Sequence, residues 1–228
     1  MAGSDKRGAA YGILALSETM GVSPLYWWSD VPVQHREALF LSAGITVSKT
    51  PSVRYRGIFI NDEDWGFTPW ARKNFEKSLG DIGPKTYAKV CELLVRMKAN
   101  MLAAAMHPYS GAFYTYPESK VVADSFKNLF TTSHCEPLLY DNASEWKVKT
   151  MSDWNYLNNR QGIIDQLCKR VEEAALYDNI YTLALRGIHD GKMKGISRDK
   201  KMSVVQQGID DQRDILSKYL KKPPRIFR

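Results

Sequence analysis

Short apolar runs alternate with longer stretches of helical periodicity along most of this chain. Gly57 to Ile60, Met101 to Met106, Phe130 to Ser133 and Ile180 to Leu185 are brief and rich in β-branched or aromatic residues, the pattern of buried strands. Arg225–Ile226–Phe227 begins a fifth. Between them the spacing predicts helices over Trp70 to Ser78, Thr86 to Lys98, Glu118 to Leu129, Ala143 to Met151, Gln161 to Ala175 and Ser203 to Tyr219. Ahead of the first strand, Ala9 to Met20 has helical spacing and Gly21 supplies a C-cap. Pro24–Leu–Tyr–Trp–Trp28 reads as aromatic packing, with a sugar-stacking platform as the alternative. Val31 to Ser52 reads as an extended linker or edge strand.

Strand, polar loop, helix, repeated four times, is the signature of parallel βα units and hence of an α/β fold. In a barrel or an open parallel sheet the loops after the strands share one face, where binding and catalysis concentrate. The polar clusters Asn61–Asp62–Glu63, His107, His134–Cys135–Glu136 and Arg186–His189–Asp190 all follow strands, so they are expected to converge. No glycine-rich loop follows the first strand, which argues against a nucleotide-binding sheet. A closed barrel takes about 250 residues. With four to five strands visible, the pattern predicts half of a (β/α)8 TIM-type barrel.

Composition narrows the picture only modestly. The 228 residues are 44% hydrophobic and 25% charged, as in a globular protein, and no apolar run is long enough to span a bilayer. No signal peptide is legible after the basic start. The net charge of +7 permits a polyanionic partner, yet the basic residues are scattered without interleaved aromatics, so no nucleic-acid partner is expected. Cys91, Cys135 and Cys168 show neither CxxC spacing nor a disulfide framework, and no HxH or HExxH run supports a metal site. A nucleophilic Cys135 is a weak reading, because neighbouring strand residues point to opposite faces. Arg186 suits a carboxylate-bearing ligand, since its planar fork engages both oxygens. Its proximity to Asp190 equally suits a salt bridge.

Taken together, Gly3–Ser–Asp–Lys–Arg–Gly8, Gly21–Val–Ser–Pro24, Tyr26–Trp–Trp28, Tyr55–Arg–Gly–Ile–Phe–Ile–Asn–Asp–Glu63, Ser133–His–Cys–Glu–Pro137, Glu145–Trp146, Trp154–Asn–Tyr156 and Arg186–Gly–Ile–His–Asp190 resemble glycoside hydrolase family 115. The resemblance runs over essentially the whole chain. It implies an α/β chain in which residues 1–51 end an N-terminal domain and residues 52–228 are the first half of a catalytic barrel. It also implies hydrolysis, with inversion, of (4-O-methyl-)glucuronic acid side chains on xylan. The expected ligand is a glucuronoxylan or a xylo-oligosaccharide carrying glucuronic acid, with no cofactor. Asp62, Glu63 and Asp190 are the expected catalytic carboxylates, with Asn61, His107, His134, Glu136, Arg186 and His189 around the sugar. Members of the family are much longer, usually homodimers, and extracytoplasmic. They continue into a Tyr–Lys–Glu–Val segment whose glutamate is a proposed catalytic residue, so a chain stopping at Arg228 is expected to be a truncated, catalytically poor piece. A non-catalytic carbohydrate-binding or structural fragment is the competing expectation.

Overall fold

The computed structural model describes residues 2–61 and 64–221 and the backbone of 225–227. Five three-residue strands, β1 (Gly57–Phe59), β2 (Met101–Ala103), β3 (Leu129–Thr131), β4 (Ile180–Thr182) and β5 (Arg225–Phe227), pair in parallel and in chain order. β1–β2–β3 form one ladder, with Ile58 opposite Leu102 and Leu102 opposite Phe130. β4 and β5 form a second, with Tyr181 opposite Ile226. A single parallel bridge between Phe130 and Asn179 links the two. The chain is therefore α/β, built on parallel strands.

Parallel neighbours need crossovers, and helices supply them. α2 (Phe67–Trp70) runs into a wider π turn over Ala71–Phe75 and is followed by α3 (Pro84–Arg96). α4 (Pro117–Ser125) joins β2 to β3, and α5 (Val148–Met151) with α6 (Arg160–Ala174) joins β3 to β4. α7 (Lys201–Tyr219) then leads to β5. α3 turns Tyr87, Val90, Cys91 and Leu94 inward, and α6 turns Ile163, Leu167 and Val171, all at most 3% exposed. The apolar i, i+3, i+4 spacing thus becomes the covering layer over Leu102 and Phe130. Gly57 is required where β1 meets β2: a Cβ there would lie 1.9 Å from the Met101 carbonyl oxygen.

Ahead of the sheet, α1 (Lys6–Thr19) starts earlier than its apolar spacing suggests because the Asp5 carboxylate caps the Gly8 N–H at 2.7 Å. It is tied to the chain just before three strands. The Tyr11 hydroxyl donates to the carbonyl of Ala99, and Arg7 donates to the carbonyl of Lys127 and pairs with Asp178 at 2.6 Å. α1 thus braces the N-terminal ends of β2, β3 and β4, opposite the loops that carry the polar clusters. The aromatic run after it packs as core material. Trp27 and Trp28 meet Trp70 with centroids 5.8 and 5.7 Å away, and the Trp28 indole N–H donates to the Lys89 carbonyl.

Several boundaries differ from the sequence expectation for local reasons. The helix expected to reach Leu129 stops at Ser125, because Lys127 takes a left-handed φ of 56° and releases Leu129 into β3. The strand expected over Met101 to Met106 pairs only as far as Ala103. The helix expected over Ala143 to Met151 shrinks to α5, because Asp141 turns the chain by accepting the N–H groups of Ala143 and Ser144. Residues 31–52 form no strand among the described residues and lie exposed, so the edge-strand alternative is not met.

Leu102→Ala, at a fully buried central position, is expected to cost about 2–5 kcal/mol, whereas Ile13→Ala, at a site 60% exposed, should cost under about 0.5 kcal/mol. Urea midpoints of the two variants, measured side by side, check the assignment of the core.

Candidate active site

The loop after β3 is folded on itself so that one side chain faces outward. Thr132 donates its hydroxyl to the Glu136 carbonyl at 2.8 Å, and the Glu136 carboxylate accepts the Ser133 N–H at 2.9 Å. Cys135 turns inward, 1% exposed, with its sulphur 3.0 Å from the Ser133 hydroxyl. His134, at the tip, projects with 61% of its side chain exposed. The loop after β4 is closed by the Gly187 N–H donating to the Gly191 carbonyl at 3.0 Å, and a Cβ on Gly187 would sit 2.7 Å from the Lys192 carbonyl oxygen.

These two loops meet at Asp190. Its Oδ1 lies 2.7 Å from His134 Nε2 and accepts from an Arg186 guanidinium nitrogen at 2.8 Å, while the other terminal nitrogen donates to the Asp190 carbonyl at 2.9 Å. Arg186 is held in turn by its own carbonyl, which accepts the Trp154 indole N–H at 3.1 Å. His189, with a positive φ of 50°, donates its N–H to the Asn142 side-chain oxygen at 2.8 Å. A left-handed non-glycine residue costs on the order of 1–3 kcal/mol and persists where its surroundings fix it. His189 Nε2 is buried and lacks a hydrogen-bond partner among the described residues.

The loops after β1 and β2 reach the same place. His107 Nδ1 lies 3.0 Å from Asp64 Oδ1, and the His107 ring stands edge-on to His189 at 5.4 Å. His107, His134, Arg186, His189 and Asp190 are thus gathered by loops from three strands, and Asp64 joins them from a fourth. Asn61 ends exposed just beyond β1. Asp62 and Glu63, expected to carry catalysis, lie outside the described residues.

The carboxylates differ in charge state. The hydrogen bond from His134, aided by the positive charges of His134 and Arg186, holds Asp190 below the usual carboxylate range. Glu136, expected among the sugar contacts, is instead 3% exposed and lines an interior cavity with Asp141, Glu145 and Arg170. Burial, then the neighbouring charge of Asp141, pushes its carboxyl up; burial also raises Asp141. Arg170 is the cation of this interior group, donating to both oxygens of Glu145 and to the Leu139 carbonyl. His134, Cys135 and Asp190 bring a ring nitrogen, a sulphur and a carboxylate oxygen within 4.8 Å of one another. The set does not suit a cation: Arg186 already occupies Asp190, and burial pushes the Cys135 thiol up to about 11, so it keeps its proton. The same shift disfavours Cys135 as a nucleophile.

A site of clustered imidazoles, an arginine and ionised carboxylate at parallel strand ends can bind an acidic, hydroxyl-rich ligand. The sequence profile of glycosyl hydrolase family 115 matches residues 48–226. The chain belongs to glycoside hydrolase family 115. A solved structure of a family 115 4-O-methyl-α-glucuronidase with specificity for decorated arabinogalactans is 40% identical and superposes with a TM-score of 0.92. The alignment covers 99% of this chain and 30% of that one, so the chain spans less than a third of that protein's length. A search of curated proteins returned no match.

Asp64, Asn142 and Trp154 hold His107, His189 and Arg186 by hydrogen bonds, and sequence reasoning did not single them out as site residues. Asp64 directly follows the Asn61–Asp62–Glu63 cluster as a third carboxylate, and Trp154 belongs to the Trp–Asn–Tyr motif. Asn142 carried no signal beyond a polar turn.

The raised Glu136 carboxyl has a stability consequence. The folded state keeps a proton that the unfolded chain loses near the ordinary glutamate value of 4.5. Its contribution is therefore fully present below that value and declines as pH rises above it. Glu136→Gln should flatten this decline while still accepting the Ser133 N–H. Glu136→Ala, which leaves that N–H without its acceptor, should cost about 1–3 kcal/mol. Urea midpoints at pH 5, 7 and 9 for the three proteins distinguish these outcomes.

Proposed function

We propose that the whole protein is a glycoside hydrolase removing (4-O-methyl-)glucuronic acid side chains from xylan, by hydrolysis with inversion, and that this chain supplies part of its active site. The observation carrying this reading is the convergence of His134, Arg186, His189 and Asp190 with His107 in a family 115 chain. A uronic acid presents one carboxylate and several hydroxyls. Arg186 uses two of its N–H groups on Asp190 and its carbonyl, leaving others for a ligand carboxylate. His107, His134 and His189 supply donors for ring hydroxyls, with Asn61, on the loop after β1, as a further polar group.

Asp190 shares its proton-accepting oxygen with the His134 ring and the Arg186 guanidinium, which lowers its basicity. It suits holding Arg186 and His134 in place more than activating water. One of the two roles, acid or base, then falls to Asp62 or Glu63, which follow β1, with its partner carboxylate supplied elsewhere in the whole protein. An inverting pair stands about 6.5–9.5 Å apart with room for water between. The chain-ordered parallel strands support residues 52–228 as the first half of a (β/α)8 barrel, with residues 1–51 ending a preceding domain. A homodimeric, extracytoplasmic whole protein fits the same reading. The 4-O-methyl-α-glucuronidase similar to this chain is described as acting on decorated arabinogalactans, so an arabinogalactan is the second candidate substrate.

Calorimetry of the whole protein should show glucuronate bound in preference to glucose. Arg186→Lys should reduce that preference about tenfold, since lysine loses the forked geometry. Asp62→Ala should lower glucuronic acid release from decorated xylo-oligosaccharide by about 10²–10⁴-fold with binding kept. Equal affinity for the two sugars, or full activity in Asp62→Ala, overturns the assignment.

A further inference from the structure

Two large aromatic side chains at the strand-end face take no part in the core. Trp65 is 84% exposed and Tyr109 is 63% exposed. Trp65 directly follows Asp64, and Tyr109 lies two residues beyond His107, so the Asp64–His107 bond of 3.0 Å joins the two loops that carry them. Both loops are fixed from below. Trp65 and Gly66 lead straight into α2, where the Trp70 N–H donates to the Gly66 carbonyl at 2.9 Å. Arg72, on the π turn, donates to the Tyr109 carbonyl, and the buried Asp81 accepts the Gly111 N–H at 2.8 Å. By contrast, the aromatic residues Trp27, Trp28, Phe67, Trp70 and Phe75 pack on one another. Exposing a large ring is unfavourable in water, and a rigid loop bearing one costs little ordering entropy when a ligand arrives.

We propose that Trp65 and Tyr109 form an aromatic rim that stacks neutral main-chain pyranoses, beside the cationic cluster that receives the acidic side-chain sugar. This rests on the functional reading above and extends it to the polysaccharide backbone. The division follows from chemistry. A neutral pyranose offers no charge to His134 or Arg186, but one face of its ring is lined with C–H bonds that pack on a flat indole or phenol. The acidic sugar has the opposite preference. The rim therefore contributes affinity for the polymer, and the cluster contributes discrimination for its branch.

The test is titration of the whole protein with undecorated β-1,4-xylohexaose and, separately, with a β-1,3-galacto-oligosaccharide, followed by calorimetry and by tryptophan fluorescence. At least one neutral oligosaccharide should bind. Trp65→Ala and Tyr109→Ala should each weaken it about tenfold, and Trp65→Phe, which keeps a flat face, should stay within about threefold. Affinity for free glucuronate should be unchanged in all three. Both side chains are exposed, so thermal midpoints should match the parent and exclude misfolding. Absence of binding to either neutral oligosaccharide overturns the proposal, as does unchanged oligosaccharide affinity in Trp65→Ala. Loss of glucuronate affinity alone in these variants overturns it too, by moving the rim into the acidic subsite. Failure of glucuronate to bind the parent, with oligosaccharide binding intact, would count against the uronic-acid reading and leave the rim standing.

Discussion

One carboxylate oxygen holds the candidate site together. Asp190 Oδ1 is shared by His134, from the loop after β3, and Arg186, from the loop after β4. Because the three residues are largely exposed, this contact adds little to global stability. Its consequence is positional: it fixes two flexible side chains against each other before any ligand arrives, and so reduces the entropy lost on binding. Everything behind it serves that register. Gly57 permits the close approach of β1 to β2, the Phe130–Asn179 bridge sets β4 beside β3, and α1 braces the opposite strand ends.

The interior group behind His134 shows how a fold supports a site it does not line. Glu136, Asp141 and Glu145 line one cavity with Arg170, whose guanidinium pairs with Glu145 and, at 3.4 Å, with Glu173. Burial and mutual repulsion are relieved if a carboxyl stays protonated, and Glu136 carries the strongest upward push. The chain just beyond it, Leu138 and Leu139, is held at φ of 50° and 69°, both left-handed and both buried. Such a backbone costs energy for branched residues. It persists where packing and hydrogen bonds on either side leave no alternative, and here the Leu139 carbonyl accepts from Arg170.

Much of this was legible in the sequence, and the limits are specific. Short apolar runs located four strands, because a parallel strand buried on both faces needs few polar residues, as in β3 and β4. The first run, expected to be buried, is instead an exposed edge, with Ile58 41% and Phe59 47% exposed. The ends were misjudged where one residue overrode the pattern: Lys127 at positive φ cut a helix short, and Asp141 replaced most of another with a turn. The convergence of His107, His134, Arg186 and Asp190 was readable, because strand-end loops in parallel folds share a face. The inward turn of Glu136 was not. A glutamate two residues from an exposed histidine carries no local mark of burial; tertiary packing decides it, with Phe113, Leu139 and Arg170 lining the same interior cavity as Glu136.

The contrast between the two aromatic groups follows from the same logic. A run such as Tyr26–Trp–Trp28 advertises sugar stacking by composition, yet its rings have partners, and Tyr26 donates its hydroxyl to Glu92 while Lys89 and Arg96 sit over its face. Trp65 stands alone in an acidic stretch and draws no notice in sequence. What distinguishes them is whether neighbouring elements supply apolar area, and that depends on α2 and α3 meeting the segment before β1. An aromatic residue becomes available to a ligand when the fold leaves it uncovered on a rigid loop. That condition is met at the strand-end rim and not at the packed cluster, so the binding surface is assigned by tertiary accessibility rather than by aromatic content.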